Sequence, residues 1–362
     1  MPDNISSGMN CSKTRRYIMK KILVLIMAIA CLTLAFVGCA PPENNTNPSV
    51  APSAEASAPA NGTQGTTEEA NAFRVAYIAR AQADSFAAWL ANSIVEESAK
   101  YNNITVDVFD GQASDDKENS LIENAITNQY DAIVIQPNNG EAQRPYAEKA
   151  VAAGIVTITT NARISGIEGA SSVDADPYEQ AAVNARLAVE QVPKDAKVVV
   201  LLGPPGNFHA DERRKSWQAE FFDKRPDVKI VGEEIANWNK DEAMNAMETW
   251  VQANDKIDAI ISMNDNMAAG ALEAVKGNAK YENVLAYGVD GTAEACLLIK
   301  EGRMTSTSLQ SAYDLASAIL GTVNKLLTGE EGQIDMDIEC PLITKDNVDQ
   351  YIEMHKKAGA IK

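Results

Sequence analysis

The sequence predicts an α/β protein of two lobes, each a parallel sheet covered by helices, behind an amino-terminal export segment. Three observations carry this. Short β-rich runs alternate with amphipathic stretches of helical length from residue 73 onward. The alternation restarts near residue 197, and the first forty residues differ in kind from everything after them. With 362 residues, 45% of them hydrophobic and 23% charged, the chain can bury a core and is neither collagen-like nor disordered in composition.

The export segment comes first. Lys20 and Lys21 precede an apolar run over 22–37, followed by Gly38, Cys39 and Ala40. A basic region, a short apolar stretch and small residues at a cleavage point describe a signal peptide over 1–38. A membrane-spanning helix, the alternative, needs about 20 apolar residues, more than the run supplies. Met19-Lys20-Lys21 reads as a natural start, with residues 1–18 as an upstream extension. From 39 to 72 the chain is rich in Pro, Ala, Ser, Asn, Thr and Glu without an apolar period. Such a stretch cannot bury enough surface to offset its chain entropy and reads as a flexible tether.

In the first unit, strands are predicted over 73–79, 104–109, 132–136 and 155–159, with helices over 86–101, 115–128 and 141–153. In the second, strands are predicted over 197–202, 228–235, 257–262, 285–288 and 304–308, with helices over 211–224, 241–253, 266–276 and 293–301. Regular alternation of this kind implies parallel sheets with helices on both faces. Two such units imply two similar lobes with a cleft between them. Ligands of open α/β sheets collect at the carboxyl ends of strands, and short polar and aromatic residues cluster there. Asp84 and Phe86 follow the first strand, Asn138 and Asn139 the third, and Asn161 the fourth. In the second unit the loop from Gly203 to Asp211, then Asn237-Trp238-Asn239, Asn264-Asp265-Asn266 and Asp290-Gly291 follow successive strands. Carboxylates and amides suit neutral hydroxyl groups, and aromatics supply an apolar wall. The same short polar residues also cap helices, so each has a purely structural alternative.

Composition and motifs exclude several functions. Lys+Arg is 32 against Asp+Glu 50, a net charge of -18, which repels nucleic-acid phosphates and anionic membrane surfaces. The two histidines, His209 and His355, have no metal-ligand spacing, so neither a metal nor a cofactor is expected. The chain lacks a Gly-x-Ser-x-Gly elbow, and the Gly203–Asn207 loop is neither a dinucleotide fingerprint nor a P-loop. An Asp84/Asp211 carboxylate pair is the best enzyme reading, but two residues on different lobes would change spacing as the cleft opens. No enzyme is therefore expected. Cys296 and Cys340 remain after export and either pair or stay as buried thiols.

Four stretches carry a family resemblance: Asp131-Ala-Ile-Val-Ile-Gln-Pro137, Gly154-Ile-Val-Thr-Ile-Thr-Thr160, Ser262-Met-Asn-Asp-Asn-Met-Ala-Ala-Gly-Ala271 and Tyr287-Gly-Val-Asp-Gly-Thr292. In this order they resemble the periplasmic binding proteins of the ribose-binding type, across almost all of 73–362. The resemblance implies two Rossmann-like lobes joined by three crossovers, closing on a monosaccharide delivered to an ABC permease. By that analogy one lobe is 73–174 plus 311–334 and the other 175–310 plus 335–362. LacI-type repressors share such lobes, but Phe36-Val37-Gly38-Cys39 resembles a bacterial lipobox where those repressors carry a helix-turn-helix. Cys39 would then be lipidated, which places an otherwise soluble, monomeric protein on the outer face of the cell membrane or in the periplasm.

The resemblance also implies a sugar site. Its first-turn asparagine falls at Asp84 and its aromatics at Phe86 and, nearby, Trp89. The Asp-Arg pair after the fourth strand falls at Asn161 and Ala162, with Arg163 next. The arginine opening the first helix of the second lobe falls at Asp211, while Arg213 keeps a second basic position. Trp238, Asn264, Asp290 and Gln310 match the later contacts. Losing two arginines while gaining Asp84 and Asp211 predicts a more acidic pocket, with the ligand, Arg163, Arg213 or His209 supplying donors. A monosaccharide or deoxysugar is expected. An amine-bearing sugar, a polyol or a signalling furanone is the alternative, and presentation of a bound signal to a membrane receptor is the alternative to transport.

The lipobox reading has a direct consequence. Wild-type protein should partition into membranes, and Cys39→Ser should accumulate as precursor or leave a soluble form. Fractionation that finds the two equally membrane-bound contradicts it.

Overall fold

The computed structural model describes residues 72–362. The predicted signal peptide, Cys39 and the tether before Ala72 lie outside the described residues. The first sheet contains β1 (Phe73–Ala79), β2 (Ile104–Asp110), β3 (Ala132–Ile135), β4 (Val156–Thr160), β5 (Ala170–Ala175) and a late strand, β11 (Asp335–Ile338). Their order is β11-β5-β4-β3-β1-β2, parallel throughout. The second sheet contains β6 (Lys197–Leu202), β7 (Lys229–Ile235), β8 (Ala259–Ser262), β9 (Leu285–Asp290), β10 (Ser306–Leu309) and β12 (Leu342–Thr344). It repeats the same pattern as β12-β10-β9-β8-β6-β7, with only β12 antiparallel.

Strand periodicity builds a core on each face of the first sheet. Along β1, Val75, Tyr77 and Ala79 join one apolar cluster, whereas Ala76 and Ile78 join the opposite one, as side chains alternating across a strand require. The first cluster is closed by Leu90 and Ile94 of α1 (Ser85–Ser98). The opposite one is closed by Ile122 of α2 (Asp115–Thr127) and Ala147 of α3 (Gly140–Ala152). In the second sheet, β7 is a largely exposed edge strand carrying Lys229, Glu233 and Glu234, charges that discourage pairing with another chain.

Three segments pass between the sheets. The chain leaves β5 for α4 (Pro177–Gln191), which packs on the second sheet. It returns to the first lobe from β10 into α9 (Ala312–Leu327), and crosses last between β11 and β12. These crossings hold most of what the sequence pattern did not predict: β5, β11, β12, α4, α9 and α10 (Val348–Lys357). In β5 every residue is buried but the sequence is Ala-Ser-Ser-Val-Asp-Ala, too small and polar to read as a core strand. Pairing of β11 with β5 puts 335–338 on the first sheet, four residues past the expected lobe boundary at 334.

The remaining helices of the second lobe are α5 (Phe208–Trp217), α6 (Lys240–Ala253), α7 (Asp265–Ala274) and α8 (Ala293–Glu301). α5 starts three residues before the predicted 211 and passes into a π-helical turn at Gln218–Phe222. Cys296, buried in α8, and Cys340 in the last crossing are both free thiols.

α6 and α7 pack closely because position 270 has no side chain. A Cβ on Gly270 would lie 2.1 Å from the Lys240 carbonyl oxygen, and backbone cannot move aside cheaply. Gly270→Ala should lower unfolding stability by about 1–3 kcal/mol, the usual cost of overpacking. Unchanged denaturation midpoints in this variant would contradict that packing.

Candidate functional site

The carboxyl ends of strands from both sheets converge on a cavity of about 300 Å³, part of it open to solvent. Phe86 and Trp238 supply its aromatic walls. The indole lies over the loop after β6, where a Cβ on Gly203 would come within 2.2 Å of it. Trp238 itself has φ 63°, and the Asn266 amide donates to its carbonyl at 2.8 Å. Asn161 at φ 47° and Asp290 at φ 125° share this left-handed backbone. Non-glycine residues cost energy there and persist where surrounding structure holds them, commonly at ligand sites.

Arg213 organises the second-lobe side. His209 and Arg213 are one helical turn apart on α5 and face the cavity together. The buried guanidinium donates from Nη1 to the Met263 carbonyl at 2.7 Å and from Nε and Nη2 to Gln180 Oε1 at 3.0 and 2.7 Å. Its Nη2 also reaches Gln310 Oε1 at 2.9 Å and His209 Nδ1 at 3.1 Å. An arginine has no acceptor, so His209 Nδ1 carries the lone pair, and Nε2 donates to Asp174 Oδ1 at 2.9 Å. Burial holds the His209 imidazole below its usual pKa, consistent with a neutral ring.

Asp290 lies at the end of β9, its Oδ1 3.8 Å from Arg213 Nη2. Burial pushes its carboxyl well above the usual range, against the pull of Arg213. Asp290 Oδ2 and Gln310 Nε2 are buried without a hydrogen-bond partner among the described residues. Buried polar groups are rarely unpaired; Asp290 is among the residues that line the cavity, and Gln310 sits beside it against Arg213. Asn264 caps α7 by accepting from the Met267 N–H at 2.9 Å, which leaves its amide nitrogen to donate.

On the first-lobe side Arg80 and Asp84 form a buried ion pair at 2.8 Å. Asp84 Oδ1 also caps α1 by accepting from the Ala87 N–H at 2.9 Å. Behind them Gln136 accepts from the Arg80 N–H and the Tyr77 hydroxyl, both at 3.1 Å, and donates to Asn161 Oδ1 at 2.6 Å. That fixes the Asn161 amide with its nitrogen free to donate.

Of the residues expected at a sugar site, Asp84, Phe86, Asn161, Trp238, Asn264 and Asp290 line this cavity, and Gln310 sits against Arg213. Two lie elsewhere. Trp89 packs between Tyr313 and His355 and walls a different cavity. Asp211 is exposed, and helical periodicity puts it on the face of α5 opposite His209 and Arg213. It does not cap the helix either, because Asn207 accepts from the Ala210 N–H at 3.2 Å. The expected acidic pocket is therefore corrected. Arg80 joins the wall beside Asp84, and Arg213 faces Asp290. Sequence reasoning passed over Arg80, placed Asn207 only within the polar loop after the strand at 197–202, and treated His209 and Arg213 only as reserve donors. The i, i+4 spacing of the last two was the signal that could have placed them together.

Residues 75–331 match the family model described as periplasmic binding protein domain. The chain is 32% identical to a xylitol-binding protein of Mycolicibacterium smegmatis, over 70% of this chain and 73% of that protein. It is 31% identical to a D-apiose import binding protein of Paraburkholderia graminis, over 68% and 78% respectively. Among solved structures, the Caulobacter myo-inositol binding protein bound to myo-inositol is similar at a TM-score of 0.74 and 25% identity. That match covers 81% of this chain and 100% of the other.

The raised Asp290 pKa has a stability consequence. The folded carboxyl binds its proton more tightly than the unfolded one, so stability falls as pH rises above about 4. Asp290→Asn should therefore leave the ligand-free protein more stable than wild type at pH 7, with a smaller difference at pH 4, while weakening ligand binding. Denaturation at the two pH values checks this. A variant less stable than wild type at pH 7 would contradict the account.

Proposed function

The chain belongs to the periplasmic binding protein family, and we propose that it captures a neutral monosaccharide or polyol for an ABC importer. The family binds solutes and is not catalytic. The observation that carries the reading is Asp290 Oδ2, buried without a partner among the described residues in a cavity walled by Phe86 and Trp238, with the unpartnered Gln310 Nε2 close by against Arg213. A polyol answers this arrangement, since each hydroxyl both donates and accepts. Charges on the wall pair off as Arg80 with Asp84 and Arg213 with Asp290, so a neutral ligand leaves none unbalanced. The names of the xylitol- and apiose-binding relatives fall in the same chemical class.

In this reading Asp84, Phe86, Asn161, Trp238, Asn264, Asp290 and Gln310 serve the ligand, and Arg80, Asn207, His209 and Arg213 join them. The lobes, 73–174 with 311–334 and 175–310 with 335–362, move as two bodies, with 335–338 carried by the first. An open form admits the solute, contacts from both lobes close over it, and closure is limited by the ligand's preference for the closed state. The captured solute passes to a permease, and lipidated Cys39 holds the protein at the outer face of the membrane.

A thermal-shift screen of pentoses, hexoses and polyols, followed by calorimetry, tests the proposal. A bound ligand at a hundredfold excess over Kd should stabilise the fold by about 2.7 kcal/mol. Trp238→Ala should weaken that ligand by roughly 1–3 kcal/mol, the scale of a buried aromatic contact. Equal affinity in wild type and variant would move the site elsewhere, and a screen answered only by charged amines or acids would overturn the ligand class.

A further inference from the structure

Two loops meet directly across the cleft. The loop after β3 carries Asn138 and Asn139, and the loop after β6 carries Gly206 and Asn207. Asn207 is buried, and its two polar atoms serve different lobes. Oδ1 accepts from the Ala210 N–H and caps α5, the helix that carries His209 and Arg213. Nδ2 reaches the other lobe and donates to the Pro137 and Asn138 carbonyls at 3.4 and 3.3 Å. Beside it the Gly140 N–H donates to the Gly206 carbonyl at 3.3 Å, and a Cβ on Gly206 would come within 2.9 Å of the Asn139 amide. The receiving loop is held from behind. The Asn138 N–H donates to Glu118 Oε2 at 2.9 Å and its side-chain amide to Asp115 Oδ1 at 2.7 Å, both on α2. The Asn139 N–H donates to Gln143 Oε1 of α3 at 2.7 Å. The carbonyls that meet Asn207 are therefore fixed to the first lobe.

Topology says what opening does to this contact. The three crossings run from β5, from β10 and between β11 and β12, which lie together at one side of each sheet. β3 is two strands from β5, and β6 is three strands from β10, roughly 10 and 14 Å at the usual strand spacing. Rotation about the crossings therefore parts the β3 and β6 loops and breaks the Asn207 bonds. The bond from His209 to Asp174 also joins the lobes, but Asp174 is in β5, next to a crossing, where displacement is smaller. We propose that Asn207 is a positioning residue for ligand capture, whose amide nitrogen latches the lobes together before a ligand arrives, so that the closed cleft is a populated state of the free protein. The inference rests on the solute-capture reading for its purpose, although the latch itself is made of protein groups alone. Hydrogen bonds exchanged for bonds to water contribute modestly, as a reversible latch requires. Apparent affinity falls by the factor by which the binding-competent state is depopulated, so losing the latch weakens binding.

Asn207→Asp and Asn207→Ser test this. Each keeps an oxygen that caps a helix about as well as asparagine does. The carboxylate has no proton to donate and sets a negative charge against two carbonyl oxygens, and the serine is too short to span the gap. Small-angle X-ray scattering of the full chain without ligand should give a larger radius of gyration for both variants than for wild type, with denaturation midpoints close to wild type. With the tightest solute from the screen, both variants should contract to the wild-type radius while binding several-fold more weakly. Equal ligand-free radii in wild type and both variants would overturn the proposal, as would a lowered midpoint with no change in radius, which would reduce Asn207 to a helix cap. A screen without any ligand would contradict the capture reading instead, and the ligand-free radii would still decide the latch.

Discussion

The buried guanidinium of Arg213 is the constraint on which the cleft depends. A charge taken out of water is tolerated only when its donors are matched, and here the partners come from four segments. Gln180 lies on α4 just after the first crossing, and Gln310 at the second. Met263 follows β8, and His209 precedes Arg213 by one turn. One side chain thus ties the floor of the cavity to two of the three segments joining the lobes.

The same region departs from the local preferences followed elsewhere. Asn161, Trp238 and Asp290 adopt left-handed backbone, and Asp290 keeps a carboxylate oxygen buried and unpaired. The cores, by contrast, are ordinary: alternating strand residues fill both faces of the first sheet, and short polar residues cap the helices. Stability held in the cores therefore supports strain at the cleft, the arrangement expected where a ligand completes the hydrogen bonding. Binding energy is available because the ligand-free floor is imperfectly satisfied.

Much of the fold was legible because its signals are local. Strand and helix periods over 73–160 and 197–309 were strong enough to place two α/β units and the cleft between them. The crossings were not legible, because β5 is small and polar, and β11 and β12 are short strands whose identity depends on distant partners. At the site, capping does not remove Asp84 and Asn264 from the cavity: each accepts a helix N–H with one oxygen and still lines it. Asp211 misled because alignment by position ignored helix phase, which turns Arg213 inward and Asp211 outward. Trp89 lies close in sequence to Phe86, and their rings meet at 5.8 Å, yet it belongs to the neighbouring cavity.

The central claim is that hydroxyl groups complete the Arg213 floor. A crystal structure with the tightest neutral polyol or sugar from the screen tests it most directly. The account predicts ligand oxygens about 2.7–3.2 Å from Asp290 Oδ2 and Gln310 Nε2, with Phe86 and Trp238 against opposite faces of the carbon skeleton. A ligand bound elsewhere, or one that leaves both of those atoms without a partner, would contradict it.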